Sequence, residues 1–111
     1  MQRNEIPKIL IIAGSDSGGG AGIQADIKAV TYFKGYAMTA ITAITSQNTK
    51  GVQSIFPLPI DHIESQIDSV LEDLNPNVIK TGMLADTVTI EKIASKVGDH
   101  KLVVDPVMVA T

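Results

Sequence analysis

Apolar and polar positions follow two different periods along this chain, and the changes of period predict its elements in order. Residues 8–13 contain the aliphatic run Ile9-Leu10-Ile11-Ile12, bounded by Gly14. An unbroken run of this length suits a parallel strand covered on both faces. Over 21–34 the spacing becomes helical, with Ile23, Ile27 and Val30 on one stripe and Gly35 as the stop. Asp26 stands three residues after Ile23, close to that stripe. A carboxylate leaning toward an apolar face needs a partner, because burying it unpaired is expensive. Residues 38–45 are rich in Thr and Ile and read as a second strand. It ends in a polar loop over 46–51, closed by Gly51. A short strand at 52–56 is confined to a sheet edge by Pro57 and Pro59.

The second half repeats the alternation. Asp61 with Glu64 three residues later makes an Asp form of the capping box. Ile60, Ile63, Ile67, Val70, Leu71 and Leu74 then recur at helical spacing until Asn75-Pro76. Residues 78–81 read as a strand leading to Gly82-Met83-Leu84. Asp86 caps a third helix with a buried stripe of Ile90, Ile93, Ala94 and Val97, and Gly98 stands at its end. Leu102, Val103 and Val104 form the last strand, followed by Asp105-Pro106-Val107-Met108. Strands alternating with helices predict an α/β fold with a mostly parallel sheet. No helix follows the last strand to cover it before Thr111, so the pattern reads as cut off rather than finished.

Composition narrows the class. At 111 residues the chain is one compact domain at most, and 44% apolar residues suffice for a core. The net charge of −3 is scattered, with no basic stripe for nucleic acid. Without cysteine there is neither a disulfide nor a thiolate zinc site. The first apolar run is only a strand long, which fits neither a signal peptide nor a membrane span, so the expected setting is the cytoplasm. His62 and His100 have no acid pair at ligand spacing and do not read as metal ligands. Tyr32-Phe33 reads as core or interface rather than a stacking platform.

The candidate chemistry centres on residues 13–26, which hold five of the nine glycines between a strand and a helix. Such a run lets backbone approach a ligand closely and aims free N–H groups at it. A P-loop reading fails, because Ala21 or Ile23 stands where Lys-Ser or Lys-Thr is required. A dinucleotide fingerprint is nominally present over 20–25, but Thr45, Ser46 and Gln47 replace the acid expected after the next strand. Parallel sheets bind ligands beyond the carboxyl ends of their strands. Gly14 and Asp16, Gln47 and Asn48, Gly82 and Met83, and Asp105 all fall there. Each also has a plainer reading: Asp26 as a helix-surface acid, Gln47 as a loop amide, Met83 as core, Asp105 as a turn former before proline.

Four blocks resemble the hydroxymethylpyrimidine/phosphomethylpyrimidine kinases of thiamine biosynthesis, relatives of pyridoxal kinase. They are Ala13-Gly14-Ser15-Asp16-Ser17 running on to Gly19-Gly20-Ala21-Gly22-Ile23-Gln24-Ala25-Asp26, Thr42-Ala43-Ile44-Thr45-Ser46-Gln47-Asn48-Thr49, Lys80-Thr81-Gly82-Met83-Leu84, and Val104-Asp105-Pro106-Val107-Met108. The resemblance implies a three-layer αβα ribokinase-like fold, of which this chain carries the amino-terminal part with a truncated, mostly parallel sheet. It implies a pyrimidine pocket lined by Gly14, Asp26, Gln47, Met83 and Val107, with Asp105 toward phosphate and magnesium. ATP and Mg2+ are the implied co-substrate and ion, and a homo-oligomer, a dimer, the implied assembly. In the family the ATP-binding segments, the Gly-Thr-Gly anion hole and the proton acceptor all lie later than the position matching Thr111. The resemblance therefore implies a kinase family and an isolated chain that transfers nothing. A pyridoxal-type kinase and a non-catalytic remnant are the alternatives.

Overall fold

The computed structural model describes residues 6–82, 84 and 87–105. The elements run β1 (Lys8–Ser15), α1 (Gly22–Tyr32), β2 (Tyr36–Asn48), β3 (Gly51–Pro57), α2 (Ile60–Asp73), β4 (Val78–Thr81), α3 (Thr87–Val97) and β5 (Lys101–Val104). They build one five-stranded sheet in the order β3-β2-β1-β4-β5. β1 pairs in parallel with β2 and β4, and β4 with β5; β3 is antiparallel to β2 and forms the edge, as its prolines required.

Side-chain alternation along β1 separates two cores. Leu10 and Ile12, with Met38, Ala40 and Ile79, pack against Ile63, Ile67 and Val70 of α2 and Ile93 and Val97 of α3. Ile11 and Ala13 face the other way, onto Ile23 of α1, with Ile9, Val30, Ala37 and Ile41 around them. The layers are thus α1, sheet, and α2 with α3, the expected αβα arrangement. Central β1 is buried on both faces, which is why it reads as an unbroken aliphatic run.

Several boundaries differ from expectation. β2 continues through Ser46, Gln47 and Asn48, which are strand and not loop. There β2 and β3 form a hairpin whose two-residue turn, 49–50, joins the pair Asn48↔Gly51. The Asn48 side chain accepts from the Lys50 N–H at 2.9 Å, an Asx turn. An exposed hairpin needs no apolar alternation, so its polar residues disguised a strand. α1 ends at Tyr32, and Lys34 rather than Gly35 takes the left-handed conformation, φ 67°. Gly35 serves close packing instead: a Cβ there would lie 2.9 Å from Val30 Cγ1. Ile27, expected on the buried stripe of α1, is exposed.

The capping box at Asp61 does not form. The cap of α2 is Pro59, whose carbonyl accepts from the His62 and Ile63 N–H groups. The proposed cap Asp86 lies outside the described residues. α3 buries Thr89, Ile93 and Val97, whereas Ile90 and Ala94 are exposed. With Leu84, Leu102 and Val104 they wall an open apolar cleft of about 280 Å³ on the α3 side of β5. Lys96 of α3 meets both carboxylate oxygens of Asp68 in α2, at 2.9 and 3.0 Å. That hydrogen bond raises the lysine's pKa above its ordinary value. Among the described residues no helix is long and apolar enough to cross a membrane.

Candidate functional site

The turn between β1 and α1 is organised by a carboxylate of its own. Asp16 is buried, and its Oδ1 accepts from the Gly18 N–H at 2.8 Å. Its Oδ2 accepts from Gly20 at 3.0 Å and Ala21 at 2.8 Å, and its carbonyl from Gly19 at 3.0 Å. The N–H groups that a glycine run would aim at a ligand are therefore spent inside the loop. Gln24, in the first turn of the helix, closes the ring: its Oε1 accepts from the Asp16 N–H and its Nε2 donates to Ser15 Oγ, both at 2.8 Å. The Lys28 ammonium donates to the Gly19 carbonyl at 2.9 Å.

This turn is tied to β2 at Gln47. Ser17 Oγ donates to the Gln47 carbonyl and accepts from the Gln47 N–H, each at 2.7 Å. Thr45 Oγ1 lies 2.7 Å from the Ser15 carbonyl and 3.2 Å from Gln47 Oε1. A hydroxyl has one proton, and the nearer carbonyl takes it. The Gln47 amide then meets Thr45 favourably only through its nitrogen, an exchange of O and N that amide geometry permits. In that orientation the amide oxygen is left to accept from elsewhere. Gly14 lies in β1 beneath this cluster. A Cβ there would meet only Ala43 O at 3.6 Å and Thr42 Oγ1 at 3.9 Å, ordinary contacts, so the protein's own packing does not demand glycine at this position.

The second group sits on the α1 face of β4. Lys80 Nζ lies 2.6 Å from Asp26 Oδ1 and 3.6 Å from Asp105 Oδ2. The partner that Asp26 of α1 was expected to need is thus a lysine from β4. Asp105 follows β5, with its N–H donated to the Thr81 carbonyl at 3.0 Å, and its carboxylate is half exposed. One ammonium between two carboxylates leaves one formal negative charge. Among the described residues no group of three or more His, Asp or Glu could hold a metal ion.

The structure therefore gathers Gln47 with the glycine turn, and Asp26 with Asp105, on the carboxyl side of the sheet. Met83 and Val107, expected in the same pocket, lie outside the described residues. Sequence reasoning missed three participants. Asp16 was placed at the strand end without its role, although an acid two residues before a glycine run is the natural filler of a backbone nest. Lys80 stands inside a family block in sequence, yet a lone charge between Ile79 and Thr81 in a strand requires a partner. Ser17 carried no distinguishing signal.

A central parallel strand flanked in this order, with helices on both faces, makes the chain a doubly wound α/β protein, and its structural neighbours place it in the ribokinase-like class. Crystallised phosphomethylpyrimidine kinase from Clostridium difficile superposes with a TM-score of 0.87 at 44% identity, over 96% of this chain and 47% of that one. Pyridoxal kinase from Staphylococcus aureus, in complex with AMP-PCP, gives 0.86 at 38% identity, over 97% and 40%. The sequence profile of the phosphomethylpyrimidine kinase family matches residues 16–111, and the chain belongs to that family. A curated relative, the hydroxymethylpyrimidine/phosphomethylpyrimidine kinase of Bacillus subtilis, is 53% identical over 108 residues, 95% of this chain and 40% of its own length. The chain thus spans about two fifths of that relative.

Proposed function

We propose that these residues form the pyrimidine-binding part of a kinase that phosphorylates 4-amino-5-hydroxymethyl-2-methylpyrimidine and its monophosphate in thiamine biosynthesis, as the amino-terminal portion of a single ribokinase-like domain. The carrying observation is the closed glycine turn. With the N–H groups of Gly18, Gly19, Gly20 and Ala21 taken by Asp16, that turn has no vacancy for a phosphate, and the amide of Gln47 beside it suits a neutral ligand. An aminopyrimidine presents a donor amino group next to an acceptor ring nitrogen, and a Gln amide answers both. In this reading Gly14 keeps the floor thin for the ring and Asp26 accepts from a ligand donor. Met83 and Val107 supply apolar contact.

The half-exposed carboxylate of Asp105 suits a magnesium ion that keeps most of its water and meets phosphate oxygens, since that ion takes one or two carboxylates. ATP would supply the phosphoryl group. The resemblance implies that the ATP-binding segments and anion hole fall at positions after the one matching Thr111, and in this reading the 111 residues contribute substrate placement and the cation-side acid. Catalysis of phosphoryl transfer is positioning and charge stabilisation, which divides between such halves without covalent chemistry. A cytoplasmic location and assembly as a homo-oligomer belong to the same reading.

The likeness to the Staphylococcus aureus pyridoxal kinase favours a second reading, a pyridoxal-type substrate. Titration of the chain with each ligand, followed by amide NMR, separates the two. Saturable shifts at Gly14, Asp26 and Gln47 are expected with the hydroxymethylpyrimidine, at concentrations at least tenfold below those needed for pyridoxal. Tighter binding of pyridoxal would transfer the assignment, and absence of saturation with either would remove it.

A further inference from the structure

Lys80 places a full charge in the middle of a parallel sheet. Its register partners are Ile11, fully buried, in β1 and Val103 in β5. Its neighbours along the strand, Ile79 and Thr81, are buried on the opposite face. A β-branched residue would suit such a position at far lower desolvation cost. The charge is spent on two acids from different elements, Asp26 of α1 at 2.6 Å and Asp105 after β5 at 3.6 Å. Lys80 meets Asp26 through Oδ1, and among the described residues no other group takes Oδ2.

We infer that Lys80 is the positioning residue of the ligand site: its ammonium holds the Asp26 carboxylate by one oxygen, leaves the other to accept from the ligand, and ties that carboxylate to Asp105. The inference rests on the aminopyrimidine reading above. An unpaired aspartate on a helix samples several rotamers, and selecting one before the ligand arrives removes an ordering cost from binding. The same ammonium keeps two carboxylates from repelling each other across the site. Because the pair is partly buried, its geometry is less open to solvent exchange than a surface ion pair.

The test is titration of the 111-residue chain with the hydroxymethylpyrimidine by amide NMR, in the wild type, Lys80→Met, Lys80→Gln, Lys80→Arg, Asp26→Asn and the double variant Asp26→Asn/Lys80→Met. Lys80→Met and Lys80→Gln should each weaken binding tenfold or more, and Lys80→Arg should stay within about threefold of wild type. The double variant should bind no more weakly than Asp26→Asn alone, since both changes act through one contact. A merely structural lysine would give additive losses. Lys80→Gln keeps the comparison available if methionine disturbs the strand. Unchanged affinity in a folded neutral variant, or additivity in the double variant, overturns the inference and leaves the aminopyrimidine reading standing. A wild type that does not bind overturns both.

Discussion

Asp16→Ala should cost the chain about 3 kcal/mol of stability and abolish ligand binding, because the buried carboxylate is the shared acceptor of three N–H groups in the turn and a hydrogen bond to a charged group contributes about 1.5–3 kcal/mol, of which water reaching the exposed Gly18, Gly20 and Ala21 offsets a part. Against a typical domain stability of about 5–15 kcal/mol that is a large share. The carbonyl of residue 16 still accepts from Gly19, and the Gln24 amide still reaches the residue 16 N–H, so the loss is local to the turn and does not dissolve β1. Asp16→Asn should fall between the two. Its amide keeps one accepting oxygen but turns an NH2 group toward the remaining N–H donors. Denaturant unfolding of the three proteins gives the order wild type, Asn, Ala. Equal stability of Asp16→Ala and wild type would mean that water fills the nest and that the carboxylate does not organise the loop.

Gly22→Ala is the second large effect, and it acts through shape rather than charge. Gly22 opens α1 at φ +60°, and a Cβ there would lie 2.4 Å from the Gly14 carbonyl oxygen. The left-handed conformation alone costs a non-glycine residue about 1–2 kcal/mol. Relieving a backbone overlap adds a comparable amount, for a total of about 3 kcal/mol. Gly98→Ala is the control, since Gly98 shares the conformation, φ +53°, and has nothing within 4 Å of its Cβ position. It should show only the conformational part. Thermal unfolding of both variants measures the difference. The displaced carbonyl belongs to Gly14, so Gly22→Ala should also weaken ligand binding, whereas Gly98→Ala should not.

Much of this arrangement was legible in the sequence because burial writes itself as pattern. β1 reads as an aliphatic run since it is covered on both faces, and the limits of β4 coincide with the strand expected at 78–81. The helical stripe of α2 holds at Ile63, Ile67 and Val70. What pattern could not convey was structure held by hydrogen bonds in solvent. The outer part of β2 is a polar hairpin arm, so its residues resemble a loop, and Gln47 is a strand residue for that reason. Caps failed similarly: Asp61 has the right spacing, but Pro59 lies where the helix turns in. At the site, chemistry announced the need but not the partner. Asp26 beside Ile23 demanded a counter-charge, and the lysine that answers it lies 54 residues away in sequence. Such a pairing follows from the order of strands in the sheet, which local periodicity does not encode.

The most direct test joins this chain to the remainder of a relative. In a chimera, residues 1–111 replace the matching two fifths of the Bacillus subtilis hydroxymethylpyrimidine/phosphomethylpyrimidine kinase, to which they are 53% identical over 108 residues. If these residues place the pyrimidine, the folded chimera phosphorylates hydroxymethylpyrimidine with a kcat/KM within about tenfold of the Bacillus parent, and Asp26→Asn in the grafted part lowers it. A chimera that folds and binds ATP, yet transfers no phosphate to the pyrimidine, would contradict the assignment of this half of the sheet as its binding site.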